Sequence, residues 1–371
     1  TGEGMTDMSA LHWIRTGYHR VLAAQALSAL GDRISYVVVP FALLGLGFSV
    51  GTVALVLGAR TIAYGVVVLW GGVLADRVSC ARLMVSSDAV RFATQLTTAG
   101  LVFFRVDVVA LFVAAQLIFG FAEACFKPAA GRLIPDIVPD EHLEKANGYY
   151  NIAVNFGMVF GPVLGGFLIA LGDDALGLVI DAVTFAASAA ILIGVRHTRT
   201  AADPGSRTSV RTEIVEGWHA LLSQRWLLIA IIASGVFHLL ALSAVFALGP
   251  AYAEHHLNGA SGWGILVAAF GTGGILGGLL SSRFRTHRPG VAILGSLIAL
   301  SSQPFVLASG LPYPVILGWQ FCNGIALAYF SVVYGTAMQR FVPRETLGRV
   351  GSFDEVATSA PRIVENFLDM A

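Results

Sequence analysis

Windows of about 20 predominantly apolar residues follow one another along most of this chain, each the length a helix needs to cross roughly 30 Å of hydrocarbon. They fall near residues 20–45, 50–74, 84–104, 106–127, 147–171, 175–195, 227–251, 261–281, 290–309 and 313–338. Lipid offers no water to satisfy backbone amides, so successive spans of this length must be helices packed side by side. Composition agrees, with 56% hydrophobic and only 12% charged residues, against about 25% charged in ordinary soluble domains. The expected fold is all-α and integral to a membrane, with about ten complete spans.

Lys and Arg total 23 and Asp and Glu total 23. That balance excludes a basic nucleic-acid-binding surface and leaves the lipid bilayer as the partner. Cys80, Cys125 and Cys322 stand apart, with no CxxC and no His cluster nearby, so no metal site, disulfide framework or cofactor is expected. GTGGILGG at 271–278 lacks the Lys-Ser or Lys-Thr of a phosphate loop and lies inside a span. Helix packing explains it better than an ATP-driven pump or an enzyme.

The basic residues set an orientation because they fall on alternate connections. Arg15 and Arg20 precede the first span, Arg77 and Arg82 follow the second, and Arg132 and Lys145 follow the fourth. Arg196, Arg199, Arg207, Arg211 and Arg225 follow the sixth; Arg283, Arg285 and Arg288 the eighth; Arg340, Arg344 and Arg349 the tenth. The opposite connections offer Arg105. By the positive-inside rule the N-terminus and the basic loops are cytoplasmic, in a multi-pass protein of the plasma (inner) membrane. No charged n-region, short apolar stretch and cleavage site open the chain, so no cleaved leader is expected.

The longest basic connection divides the spans. A cytoplasmic segment at 1–19 leads into a six-helix bundle at 20–195, and a cytoplasmic linker at 196–226 leads into a second, incomplete bundle at 227–371. Within the linker, Val210, Ile214, Val215, Trp218 and Leu221 share one helical face, the pattern of an amphipathic helix at a membrane surface. An internal repeat supports the division. GGVLADR at 71–77 is echoed by GGLLSSR at 277–283, and IVPDEHL at 137–143 by FVPRETL at 341–347, with offsets of 206 and 204 residues. Two echoes in register are the signature of duplicated transporter halves.

GGVLADRVSCAR at 71–82 resembles the loop motif of the major facilitator superfamily between its second and third spans. Gly72, Leu74, Asp76, Arg77 and Arg82 match it, whereas Ser79 and Cys80 replace a Gly and a basic residue of the pattern. The resemblance implies two pseudo-repeated six-helix halves and a conformational latch at this loop. Asp88 and Arg91, three apart, and Glu123 and Lys127, four apart, look like further members of that cytoplasmic charge network. NFGMVFGPVLGG at 155–166 is similar to the fifth-span signature of drug/proton antiporters, carried by Gly157, Gly161, Pro162, Gly165 and Gly166. Gly157, Gly161 and Gly165 recur every four residues, forming one stripe that lets a neighbouring backbone approach. A helix built only for close packing reads the same way. ALGDRISYVVVPFALL at 29–44 and FAEACFKPAAGRLIPDIVPDEHLEKANG at 121–148 resemble the branch of macrolide-efflux and enterobactin-type siderophore exporters.

Ionisable residues within spans are costly and functional by default. Asp32 and Arg33 lie near the middle of the first span and Arg60 near the middle of the second. Either Asp32 alternates between a proton, or a cationic substrate, and a nearby Arg, or it forms a permanent pair with Arg60. Asp181 reads equally as a solvated end residue or a cavity group, and His238 as a satisfied interior histidine or a titrating one. Tyr36, Phe41, Asn151, Asn155, Trp263, Trp319, Gln320 and Asn323 could line a cavity for a bulky apolar ligand.

The resemblance implies proton-coupled efflux of a small hydrophobic or amphiphilic compound by a monomer, without enzymatic chemistry. The repeat calls for an eleventh span near residue 351, where SFDEVATSAPRIVENFLDMA is too charged to cross lipid as written. A truncated, non-transporting remnant is therefore the alternative expectation.

Overall fold

The computed structural model describes residues 17–170, 174–195, 210–242, 245, 252, 256–257, 259–283, 286 and 288–368. Regular structure among them is helical throughout: α1 (His19–Gly45), α2 (Val50–Arg77), α3 (Cys80–Phe103), α4 (Val109–Ile137), α5 (Leu143–Ala170) and α6 (Asp174–Ile193) form the first half. α7 (Val210–Ser223) leads into α8 (Arg225–Phe237), followed by α9 (Gly259–Arg283), α10 (Pro289–Ser301, continued by a short helix Gln303–Leu307 so that the span runs over Pro289–Leu307), α11 (Tyr313–Phe341) and α12 (Leu347–Leu368). Local chemistry starts them cleanly. The Ser49 hydroxyl accepts the Thr52 amide at 3.2 Å, capping α2, and Pro289 opens α10 where its missing N–H costs nothing.

Among the described residues, eight helices are long and apolar enough to cross a membrane, and α7 with α8 makes a ninth candidate bent by 102°. One expected window differs. α3 falls short because it carries Asp88, Arg91, Thr94, Gln95 and Thr98, all buried within the bundle. Its polarity faces protein, while Leu96 and Phe103 remain exposed. The outer part of the seventh window, 246–251, lies outside the described residues, as do 1–16 and the first part of the linker, 196–209.

Each half owns a core. Ile34, Val38, Val56, Ala99, Phe112 and Leu178 pack together in the first, and Leu227, Ile231, Leu297, Phe330, Val333 and Val350 in the second. The halves meet most extensively along two helix pairs, α5 with α9 and α2 with α12, and further where α11 touches α5 and α12 touches α4. Glycine makes the first approach possible, since a Cβ on Gly148 would stand 2.8 Å from the Gly278 carbonyl oxygen.

The polar stretch after residue 347 is a helix lying along α2, with Val350 and Ser352 fully buried. Two of its acids are used inside the protein. Tyr334 donates to Asp354 at 2.9 Å, and Tyr64 of α2 donates to Glu355. Two of the charges that made this segment read as unsuited to a span, Asp354 and Glu355, thus meet partners within the protein.

The 155–166 stripe is seated turn by turn on α1. Gly157 lies against the Ala29 backbone, Gly161 against Arg33 and Gly165 against Val37, whereas Gly166 has open space around it. Pro162 removes the amide that would bond Met158, yet α5 runs through it unbroken. Gly157→Val is expected to force α1 and α5 apart at a cost of about 1–3 kcal/mol, whereas Gly166→Ala leaves stability within about 0.5 kcal/mol of the parent. Thermal unfolding in detergent checks both.

Candidate functional site

Four helices of the first half bring ionisable side chains to one level of the bundle. Asp32 of α1 lies between two guanidiniums, 3.1 Å from Arg60 Nη2 and 3.4 Å from Arg91 Nη1. Each arginine holds a second acid: Arg60 Nε donates to Glu123 at 2.9 Å, and Arg91 Nη2 to Asp88. Lys127 Nζ stands 3.5 Å from Glu123 and 4.0 Å from Glu355. The chain Asp88–Arg91–Asp32–Arg60–Glu123–Lys127 alternates in sign, and Glu355 extends it into the second half.

Aromatic rings complete the surroundings. Arg60 lies 4.5 Å from the Tyr36 ring centre and 4.1 Å from that of Phe119; Arg91 lies 4.3 Å from Phe126 and 4.7 Å from Phe185. Guanidiniums suit such sites because they are weakly hydrated and stack on ring faces. Buried charges survive only when paired, and this network pairs each one. Side-chain exposure separates the acids: Asp32 is 18% exposed, Glu123 7% and Asp88 0%. Of these three, Asp32 has most access to water.

A second cluster occupies the end of the bundle where α2 meets α12. Asp76 accepts from Arg132, from Arg349 Nε at 2.9 Å and from the Gly348 amide at 3.3 Å. That amide opens α12, where an anion is favoured by the helix dipole. Gly72 packs against Gly348 and Ser352. Further bonds join the halves at the same end. Asn147 donates to Gln339 at 2.7 Å and to Thr336 at 3.0 Å, the Thr286 amide donates to Glu144 at 2.9 Å, and Arg344 pairs with Asp140 at 2.8 Å.

Several expected groupings are rearranged. Asp88, Arg91 and Glu123 join Asp32 and Arg60 rather than Asp76, because their helices place them nearer mid-bundle. Arg77 is partly buried and Arg82 exposed at the loop. Arg33 lies beside Gly161, its guanidinium 5.9 Å from the Tyr36 ring. Asp181 is fully buried, not a solvated end, and accepts from Gln95. His238 meets the Ser234 carbonyl at 2.7 Å, as a satisfied interior histidine does.

Of the proposed cavity residues, Tyr36 and Phe41 are exposed. Asn155 and Asn323 instead bond carbonyls on their own helices, and Gln320 accepts from Gln303 at 3.1 Å. Among the described residues, no three His, Cys, Asp or Glu side chains gather as a metal site.

Arg132, Asn147, Gln339, Gly348, Arg349 and Glu355 were not singled out from sequence as site residues. One signal was available. Asp140 and Arg344 occupy equivalent positions of the echoed IVPDEHL and FVPRETL, 204 residues apart, and they pair across the halves. Opposite charges at equivalent repeat positions meet when a pseudo-twofold axis passes between them. Reversing either charge is expected to cost about 0.2–1 kcal/mol and reversing both to restore it, as a double-mutant cycle in detergent would measure.

The family model described as Major Facilitator Superfamily matches residues 21–364. Macrolide efflux protein A of Streptococcus pyogenes is 24% identical over 292 residues, covering 76% of this chain and 70% of that protein. Multidrug efflux pump Tap of Mycolicibacterium fortuitum is 26% identical over 349 residues, covering 89% and 82%. Among solved structures, a bacterial homologue of the iron transporter ferroportin in an outward-facing state aligns with a TM-score of 0.70 at 19% identity, covering 94% of this chain and 91% of that one.

Proposed function

Because the chain belongs to the Major Facilitator Superfamily, we propose that it is a proton-coupled exporter of a small hydrophobic or amphiphilic compound, of the macrolide or siderophore kind, working by alternating access. Two relatives are named efflux proteins, which supports the direction of transport. The observation that carries the coupling is the position of Asp32, shared by Arg60 and Arg91 while each retains another acid. Asp32 can therefore take a proton without stranding a buried cation. The first-half network then gains one positive charge, which strengthens the pull of Lys127 on Glu355 and couples proton binding to the approach of the halves.

The Asp76 contacts serve as the latch of this cycle. They tie the halves at one end, and substrate enters there only after they part. Orientation follows the basic loops, placing the N-terminus and the latch on the cytoplasmic side of the plasma membrane, in a chain that works as a monomer. Macrolide and siderophore accumulation in cells with and without the protein tests the reading. Lower accumulation that returns when the proton gradient is collapsed is expected; equal accumulation across both compound sets would overturn it.

A further inference from the structure

α7 does not simply carry the chain from one half to the other. It has three faces, set by a period of 3.6 residues. Ile214, Gly217 and Leu221 turn toward the protein, Leu221 being fully buried. Thr212, Glu216, His219 and Ser223 form an exposed polar face. Between them runs an apolar stripe, Val215, Trp218 and Leu222, exposed by 45%, 44% and 41%.

Across the bend that follows, α8 also presents exposed apolar residues. α7 meets α8 at 102°, and α8 presents Ile229, Ile232 and Val236 outward. A helix turned roughly perpendicular to a span, with a tryptophan in its apolar stripe, lies in the plane of the bilayer interface.

The other side of α7 touches the latch. Gly217 packs on the Arg349 side chain, where a Cβ would stand 2.8 Å from Arg349 Cβ. Glu216 accepts from Arg349 Nη1 at 2.9 Å, while Arg349 Nε donates to Asp76 at 2.9 Å and Nη2 to the Glu345 carbonyl at 3.1 Å. The Trp218 and Phe353 rings stand 5.4 Å apart. All three nitrogens of the guanidinium are engaged, and α7 supplies one of the acceptors.

We propose that α7 is a lipid-bedded clamp: its Val215–Trp218–Leu222 stripe rests in phospholipid while Glu216 and Gly217 hold Arg349 against Asp76, so that contact with the bilayer favours the latched state. The latch part rests on the alternating-access reading above; the lipid contact does not.

The full chain in phosphatidylcholine vesicles tests both parts. Bromine placed on the acyl chains near the headgroups should quench the fluorescence that Trp218→Phe removes, and failure to quench it overturns the lipid contact. Latch opening is read as maleimide labelling of Thr336→Cys, which faces Asn147 in the closed contact, in a Cys322→Ser background. Glu216→Gln, a conservative change at the surface, should raise the labelling rate roughly two- to fivefold, the range for one partly exposed ion pair. Trp218→Asp should raise it similarly and also lose the lipid quenching. Unchanged labelling in both variants overturns the clamp. Neither readout needs substrate or a proton gradient, so loss of the clamp leaves the efflux reading standing, and lack of efflux with an intact labelling response fails that reading alone.

Discussion

Arg60→Met is expected to destabilise the protein by about 3–5 kcal/mol, the cost of removing one partner from a buried ionic pair. The side chain is 3% exposed and serves two acids, Asp32 and Glu123. Methionine retains much of the volume between Tyr36 and Phe119 but supplies no positive charge. Glu123 then keeps Lys127 at 3.5 Å and Asp32 keeps Arg91 at 3.4 Å, both longer contacts than those lost. Adding Glu123→Gln should recover most of the loss, since it removes the acid most dependent on Arg60. Thermal unfolding in detergent compares the three proteins, and an unchanged midpoint for Arg60→Met would show that the pairings contribute little.

Asp32→Asn should separate coupling from folding. Asparagine keeps an oxygen for Arg60, and both arginines keep their second acids, so the stability cost stays near 1 kcal/mol. Proton-driven efflux from reconstituted vesicles is expected to fall about tenfold or more, equivalent to about 1.4 kcal/mol of lost coupling. Exchange of substrate across vesicles without a gradient should persist. Full gradient-driven efflux by the variant would leave the Asp32 contacts with Arg60 and Arg91 as structural pairs and remove the coupling role.

Much of the fold was legible because lipid is a demanding solvent. A span must be apolar over about 20 residues, so α1, α2, α4, α5, α6, α9, α10 and α11 can be read almost by length alone. α3 and α12 show the limit of that reading. Both carry charges that a hydropathy window counts against them, yet Asp88, Arg91, Asp354 and Glu355 find partners inside the bundle. Hydropathy averages around a helix and cannot tell which side a charge occupies. The glycine stripe at 157, 161 and 165 was legible for the same geometric reason that it works, since a four-residue period places three small residues on one face.

The site was legible one residue at a time. Asp32, Arg60 and Asp76 stand out because charge is rare at their positions, and the rarity is itself the signal. Their partnerships were not. Arg132 and Arg349 read as orientation signals because every basic loop residue does, and only the fold brings both to Asp76.

Composition and spacing by themselves determined that this chain is a membrane-embedded helical protein with duplicated halves, a loop motif at 71–82 and a close-packing stripe at 155–166. Those properties depend on solvent and on helical period, which act on each segment separately. Tertiary structure alone decided that Asp32 is shared between Arg60 and Arg91, that Glu355 reaches Lys127 across the halves, and that α7 holds Arg349 against Asp76. Each contact joins residues far apart in sequence, and Coulombic and hydrogen-bond energies depend on distances that exist only once the helices have packed.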